Sequence, residues 1–294
     1  MDELGDIESP SDIFNCYYNG ELNCDGCPRR DNDLTAEPYF AFGDLPADVV
    51  ILGEAPGGNK TGENNELRTN KRIWKDYREI ESAGGESDEI GANSFNFAPL
   101  DEMGIFRHLE PFFEKINNRF EETFGRECDF YYTNYTKCND IHDDVAEARW
   151  FADLPSPASE LNHSGTERCR SFFSREFELA DPSAILIFSK GTSHLSRVLT
   201  DYGESVPPGG VTEAVLDKNF DSGESPIRVY EPENLTVPVI PSYHFRQGIG
   251  ELSKQTNKDW ISEDDFGKAD IEYDGIKRQY ADELAIQLIN RITE

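Results

Sequence analysis

The chain has 294 residues and carries 58 Asp and Glu against 28 Lys and Arg, a formal net charge of −30. That balance excludes a broad basic nucleic-acid footprint, and no apolar run approaches the ~20 residues of a membrane span. The acidic start, MDELGDIESP, lacks the basic and apolar regions of a secretory signal, so a cytoplasmic, monomeric protein with no membrane partner is expected.

Acid at this density often marks disorder, but 12% aromatics, with 19 Phe and 12 Tyr, argue for a packed core. The acid is spread along the whole length, and the cations comprise 17 Arg and only 11 Lys. A folded chain of this kind suits molar salt, where carboxylates keep the surface hydrated. The plainer alternative is an acidic protein that binds basic partners.

In chain order, residues 1–20 read as a flexible arm, and residues 21–294 as one domain. Cys24-Asp25-Gly26-Cys27 is a C-x-x-C in a tight turn. Without a secretion signal, such a pair favours metal binding or redox chemistry over a structural disulfide. Asp48 to Leu52 predicts a first strand running into Gly53-Glu54-Ala55-Pro56-Gly57-Gly58. Open α/β sheets place ligands at such a turn, past a strand's carboxyl end. It is not a phosphate loop, because the G-x-x-x-x-G-K-[ST] spacing is missing. Residues 58–99 read as a long polar insertion.

The spacing of Ile105, Leu109, Phe112, Phe113 and Ile116 predicts a helix over 104–120. A second strand follows at 129–133 and leads into Asn134. Cys169 opens a helix to Leu179 carrying Phe172, Phe173 and Phe177; a third strand spans 184–188, and a helix spans 192–199. Residues 201–234 read as a second insertion, and a fourth strand covers 236–240 with His244 just beyond it. Tyr273, Ile276, Tyr280, Leu284, Leu288 and Ile292 predict a terminal helix over 273–292. The strands are apolar on successive residues, which suits a parallel sheet covered on both faces. Alternation with helices gives an α/β sandwich.

Glu54, Asn134 and His244 thus fall at three strand ends. Together with Cys24-x-x-Cys27, Gly53-Glu54-Ala55-Pro56-Gly57, Thr133-Asn134-Tyr135-Thr136-Lys137-Cys138, Cys169 and Pro241-Ser242-Tyr243-His244, they run in unbroken order over roughly residues 22–250. This pattern resembles the uracil-DNA glycosylase superfamily. It is nearest to family 4, the iron–sulfur type, and looks like a divergent, haloarchaeal-like member.

The resemblance implies a three-layer α/β/α sandwich with a four-stranded parallel sheet. It also implies a [4Fe–4S] cluster on Cys24, Cys27, Cys138 and Cys169, with zinc as the runner-up because four thiolates suit either. Cys16 and Cys128 are left as ordinary free cysteines. The implied reaction is excision of uracil, or another deaminated base, from DNA after the nucleotide has left the stack. Glu54 would position the attacking water, and the backbone at Ala55 and Gly57 would line the pocket. Asn134 would read the base edge, Phe95 or Phe97 would stack on it, and His244 would stabilise charge on the leaving base. Lys137 and Arg246 would meet the DNA locally.

The sequence departs from the family pattern at four places. The longer Asn/Gly/Glu-rich 58–99 stretch stands where a short acidic stretch and a Gly-Arg-Pro-Phe-type segment follow G-E-A-P-G, the Cys138–Cys169 interval carries extra residues, and two motifs are altered. K-C-R-P-P is replaced by Lys137-Cys138-Asn139-Asp140, and H-P-S by His244-Phe245-Arg246. They leave a second reading open, an iron–sulfur protein of this fold re-purposed to bind nucleic acid or a partner without catalysis. An esterase built on His244 has no G-x-S-x-G elbow to support it.

Overall fold

The computed structural model describes residues 35–38, 42–43, 46–53, 105–135, 138–140, 172–189, 192–217, 225, 227–243 and 273–293. Among them lie strands β1 (Thr35–Pro38), β2 (Phe42–Gly43), β3 (Val49–Gly53), β4 (Phe130–Asn134), β5 (Cys138–Asp140), β6 (Ala184–Ser189) and β7 (Val239–Tyr243). The helices are α1 (Ile105–Phe124), α2 (172–180), α3 (Thr192–Asp201), α4 (Val211–Val215) and α5 (Tyr273–Thr293). The fold is α/β. Strands β4, β3, β6 and β7 form a parallel sheet in that order, β2 joins β4 antiparallel at one edge, and β1 pairs separately with β5. The chain clusters into two compact units, one of Met1–Pro46, Gly53–Met103 and Tyr131–Asp181, the other of Ala47–Leu52, Gly104–Phe130 and Pro182–Glu294.

In the second unit, Val49, Val50, Ile51 and Leu52 align with Ala184 to Ile187, and all eight are buried. Covering both faces makes a continuous β-branched and apolar run the favourable sequence here. Helix α1 buries Phe112, Phe113, Ile116 and Phe120, and α5 packs on it with Tyr280, Ala281, Leu284, Ala285, Leu288 and Ile289. Phe112 meets Phe188 edge-on at 5.4 Å and Tyr280 at 6.4 Å between ring centroids. Arg119 braces the two helices through Asp282, with Nη2 donating to both carboxylate oxygens at 3.2 Å. Helix α1 runs four residues past the expected Phe120 and stops at Gly125, whose φ of +72° only glycine adopts cheaply.

Where the chain turns into β4, Arg126 gathers two carboxylates. Its Nη1 and Nη2 each donate to Asp48 at 2.6 Å, and Nη1 also reaches Asp129 at 3.2 Å. Asp48 in turn accepts the Asp129 N–H at 2.8 Å.

The described residues of the 201–234 stretch carry more regular structure than its polar composition implies. It contains α4, capped by the Glu213 carboxylate on the Gly210 N–H at 3.0 Å, and lays Tyr230 against Val239. Val215, Leu216, Ile227 and Tyr230 are buried, so scattered apolar residues anchor it.

His194, on α3, is wholly buried. Burial first, then the Arg197 charge, pull its pKa down to about 3, with the Leu52 carbonyl opposing. The unfolded chain binds a proton near pH 6.5 while the folded one stays neutral, so stability is complete above 6.5 and falls as the pH drops below it. Each pH unit between about 6.5 and 3 costs roughly 1.4 kcal/mol from this group. Denaturant titrations at pH 6.5 and 4.5 should show His194→Phe losing about 2–3 kcal/mol less than the parent chain.

Candidate functional site

The first unit builds its site on β4. Successive side chains of a strand point to opposite faces, so Tyr131 and Thr133 share one face and Tyr132 and Asn134 the other. The end of the strand is held by the Tyr135 N–H, which donates to the Gly53 carbonyl at 2.9 Å.

Asn134 is 1% exposed, and its Oδ1 has no hydrogen-bond partner among the described residues. An unsatisfied buried amide oxygen costs about 1–3 kcal/mol, which makes it an exception to the rule that buried polar atoms are paired. Gly53 explains how the amide fits. A Cβ there would collide with the Asn134 Oδ1 and sit 2.9 Å from the Tyr132 hydroxyl. Space, not a left-handed φ, demands glycine at this position. The Tyr132 phenol is pushed up to about 12 by burial, so it stays protonated beside the amide.

On the opposite face lies a group that sequence reasoning missed. Glu176, on α2, is 1% exposed. Its carboxylate accepts from the Thr133 hydroxyl at 3.0 and 3.2 Å and from the Tyr131 hydroxyl at 3.4 Å. Phe173 closes the same face against Tyr135 at 5.6 Å. The readable signal was helical spacing, since Glu176 falls three and four residues after Phe173 and Phe172 and so shares their buried stripe. Phe177, expected in that stripe, is half-exposed instead. The hydroxyls of β4 favour a carboxylate where a ring was expected.

Of the residues expected in the site, Asn134 stands at the end of β4 as anticipated. Cys138 lies in β5, paired with Pro38 of β1, so the stretch after Asn134 includes a short strand. Glu54, Ala55, Gly57, Phe95, Phe97, Lys137, His244, Arg246, Cys24, Cys27 and Cys169 lie outside the described residues, as do the 1–20 arm and the 58–99 insertion. Glu54 follows directly on Gly53 of β3, and His244 on Tyr243 of β7. The fourth strand sits three residues later than expected, at Val239–Tyr243, because Pro238 cannot extend the ladder and Pro241 can stand within it.

Cys128 is free and buried. Burial, with Asp48 and Asp129 nearby, pushes its thiol far above the ordinary range. Among the described residues no group of three or more His, Cys, Asp or Glu could hold a metal, and no helix is long and apolar enough to cross a membrane. No protein-family model matches the chain, and no curated protein matches it significantly.

Proposed function

We propose that this chain hydrolyses the N-glycosidic bond of uracil, or of another deaminated base, in DNA. The observation that carries the reading is the Asn134 amide, buried against Gly53 with its oxygen unpartnered among the described residues. The uracil edge sets an N–H donor beside a carbonyl acceptor, and a primary amide offers the complementary pair. A site that leaves its own amide unsatisfied gains most from a ligand that completes it, and rejects one that cannot.

Glu54 stands one residue beyond Gly53, where it would orient water toward an electron-poor sugar carbon. His244 would stabilise charge growing on the departing base, an effect that depends on a donor fixed in place before the reaction. The base must be flipped out for either residue to reach it. Ala55 and Gly57 would line the pocket with backbone, and Phe95 or Phe97 would stack on the base. Lys137 and Arg246 would contact phosphate. At about 1 M salt the Debye length is ~3 Å, so the overall acidity repels DNA little and such local contacts suffice.

Cys24, Cys27, Cys138 and Cys169 would hold a [4Fe–4S] cluster in a structural role, as four thiolates suit it. Protein purified without oxygen should then be brown, with broad absorbance near roughly 400 nm; colourless protein with stoichiometric zinc would replace iron while keeping the ligands. The activity is tested by free-base release from uracil-containing oligonucleotides at molar salt, with Glu54→Ala abolishing it. No release from single- or double-stranded uracil, hypoxanthine or xanthine substrates would overturn the enzyme and leave the binding protein.

A further inference from the structure

Strand β4 carries a buried carboxylate against one face and the Asn134 amide on the other. Its pairing with β2 covers Tyr131 and Tyr132, opposite Gly43 and Phe42, and goes no further among the described residues. Among those residues, Thr133 and Asn134 are therefore held along the β3 side, where the Tyr135 N–H donates to the Gly53 carbonyl at 2.9 Å. A strand fastened along one edge can roll about that edge. Such a roll swings the side chains of both faces together, because successive residues point opposite ways.

A roll matters most at Asn134. Its Oδ1 has no partner among the described residues, so no bond at the oxygen itself sets where the amide points. The clearance is narrow as well, since a single Cβ on Gly53 would collide with that oxygen. The aim of the amide is inherited from the backbone it leaves.

Glu176, on α2, grips that backbone through the residue before it. Both carboxylate oxygens accept from the Thr133 hydroxyl, at 3.0 and 3.2 Å, and one also accepts from the Tyr131 hydroxyl at 3.4 Å. Tyr131 and Thr133 are successive residues of one face, so holding both restrains the roll of the strand and not one side chain alone. All three residues are fully buried. Burying a carboxylate is costly, and apolar side chains of similar volume often fill such a place at less cost.

We propose that Glu176 is a positioning residue for Asn134: its grip on Thr133 sets the roll of the β4 end, and so the aim of the amide on the opposite face. This role rests on the glycosylase reading, in which Asn134 meets the base edge.

Thr133→Val keeps the side-chain shape and removes the hydroxyl. In base release at molar salt, kcat should fall about tenfold with KM changed less than about twofold, as expected when orientation rather than binding is lost. Thr133→Ser returns the hydroxyl and should restore kcat to within about twofold of the parent. Thr133→Val combined with Glu176→Leu removes donor and acceptor together, which spares the fold an unsatisfied carboxylate; it should show the same loss of kcat. In an Asn134→Leu background, Thr133→Val should cause no further loss, because it acts only through the amide. The side-chain NH2 signals of Asn134 in an NMR spectrum, identified by their absence from Asn134→Leu, should move or broaden in Thr133→Val and return in Thr133→Ser.

An equal loss in the Asn134→Leu background, unmoved amide signals or an unchanged kcat would make Glu176 merely structural and overturn the proposal. Absence of base release by the parent chain would overturn the glycosylase reading. The Asn134 signals would then decide by themselves whether Glu176 aims the amide.

Discussion

Asn134→Leu should cut base release by roughly 10²–10³-fold, the usual loss when one group preorganised for the reacting species is removed. Leucine has nearly the shape of asparagine and none of its polarity. Its two methyl groups replace an amide whose oxygen is buried without a partner among the described residues, and apolar replacement of the same shape at such a site is close to neutral or stabilising. The midpoint of thermal unfolding should therefore hold or rise while activity collapses. Residues kept for chemistry at the expense of stability show this opposition. Parallel release assays and melting curves in the same molar-salt buffer measure it. Release that survives, or that falls only as far as the protein unfolds, would remove Asn134 from the site.

The largest loss of stability is expected from Phe112→Ala. Phe112 is 1% exposed and touches Phe188 and Tyr280 edge-on. Truncation removes a whole ring from between α1, β6 and α5, and about 3–5 kcal/mol should be lost, because a packed core refills such a space only partly. At about 2–4 °C per kcal/mol for a chain of this class, the melting midpoint should drop by roughly ten degrees or more. Phe124→Ala is the matched control, since Phe124 lies on the same helix but is 40% exposed. Its loss should stay within about 1 kcal/mol. Salt must be held constant, as self-repulsion at −30 would otherwise mask the difference. Equal losses for the two variants would contradict the packing described.

The central strands β3 and β6 were legible because burial on both faces leaves an unbroken apolar run, which Val49 to Leu52 and Ala184 to Phe188 display. β7 was legible in kind but not in place. Which of its amides face β6, and hence which positions accept Pro241, depends on a register that only the neighbouring strand sets. Asn134 was legible as a polar residue leaving a strand. That its oxygen lacks a partner among the described residues was not, because this depends on the approach of Gly53 and Tyr132 in three dimensions. Glu176 was hidden for a related reason. A carboxylate on a helix reads as solvated until the hydroxyls of Tyr131 and Thr133 are known to face it.

The Arg126 cluster bears on the preference for arginine over lysine. With acids outnumbering bases about two to one, most anionic side chains can have no cation of their own, and each cation is worth most where it serves several. Arg126 does so, holding Asp48 through two nitrogens and Asp129 through one of them, while also donating to the Glu127 carbonyl at 2.9 Å. A planar fork of five donors can be shared in this way, whereas a lysine ammonium acts as a single hydrated point. In so acidic a chain, the choice of cation becomes a question of valence: how many neighbours one positive group can satisfy at once.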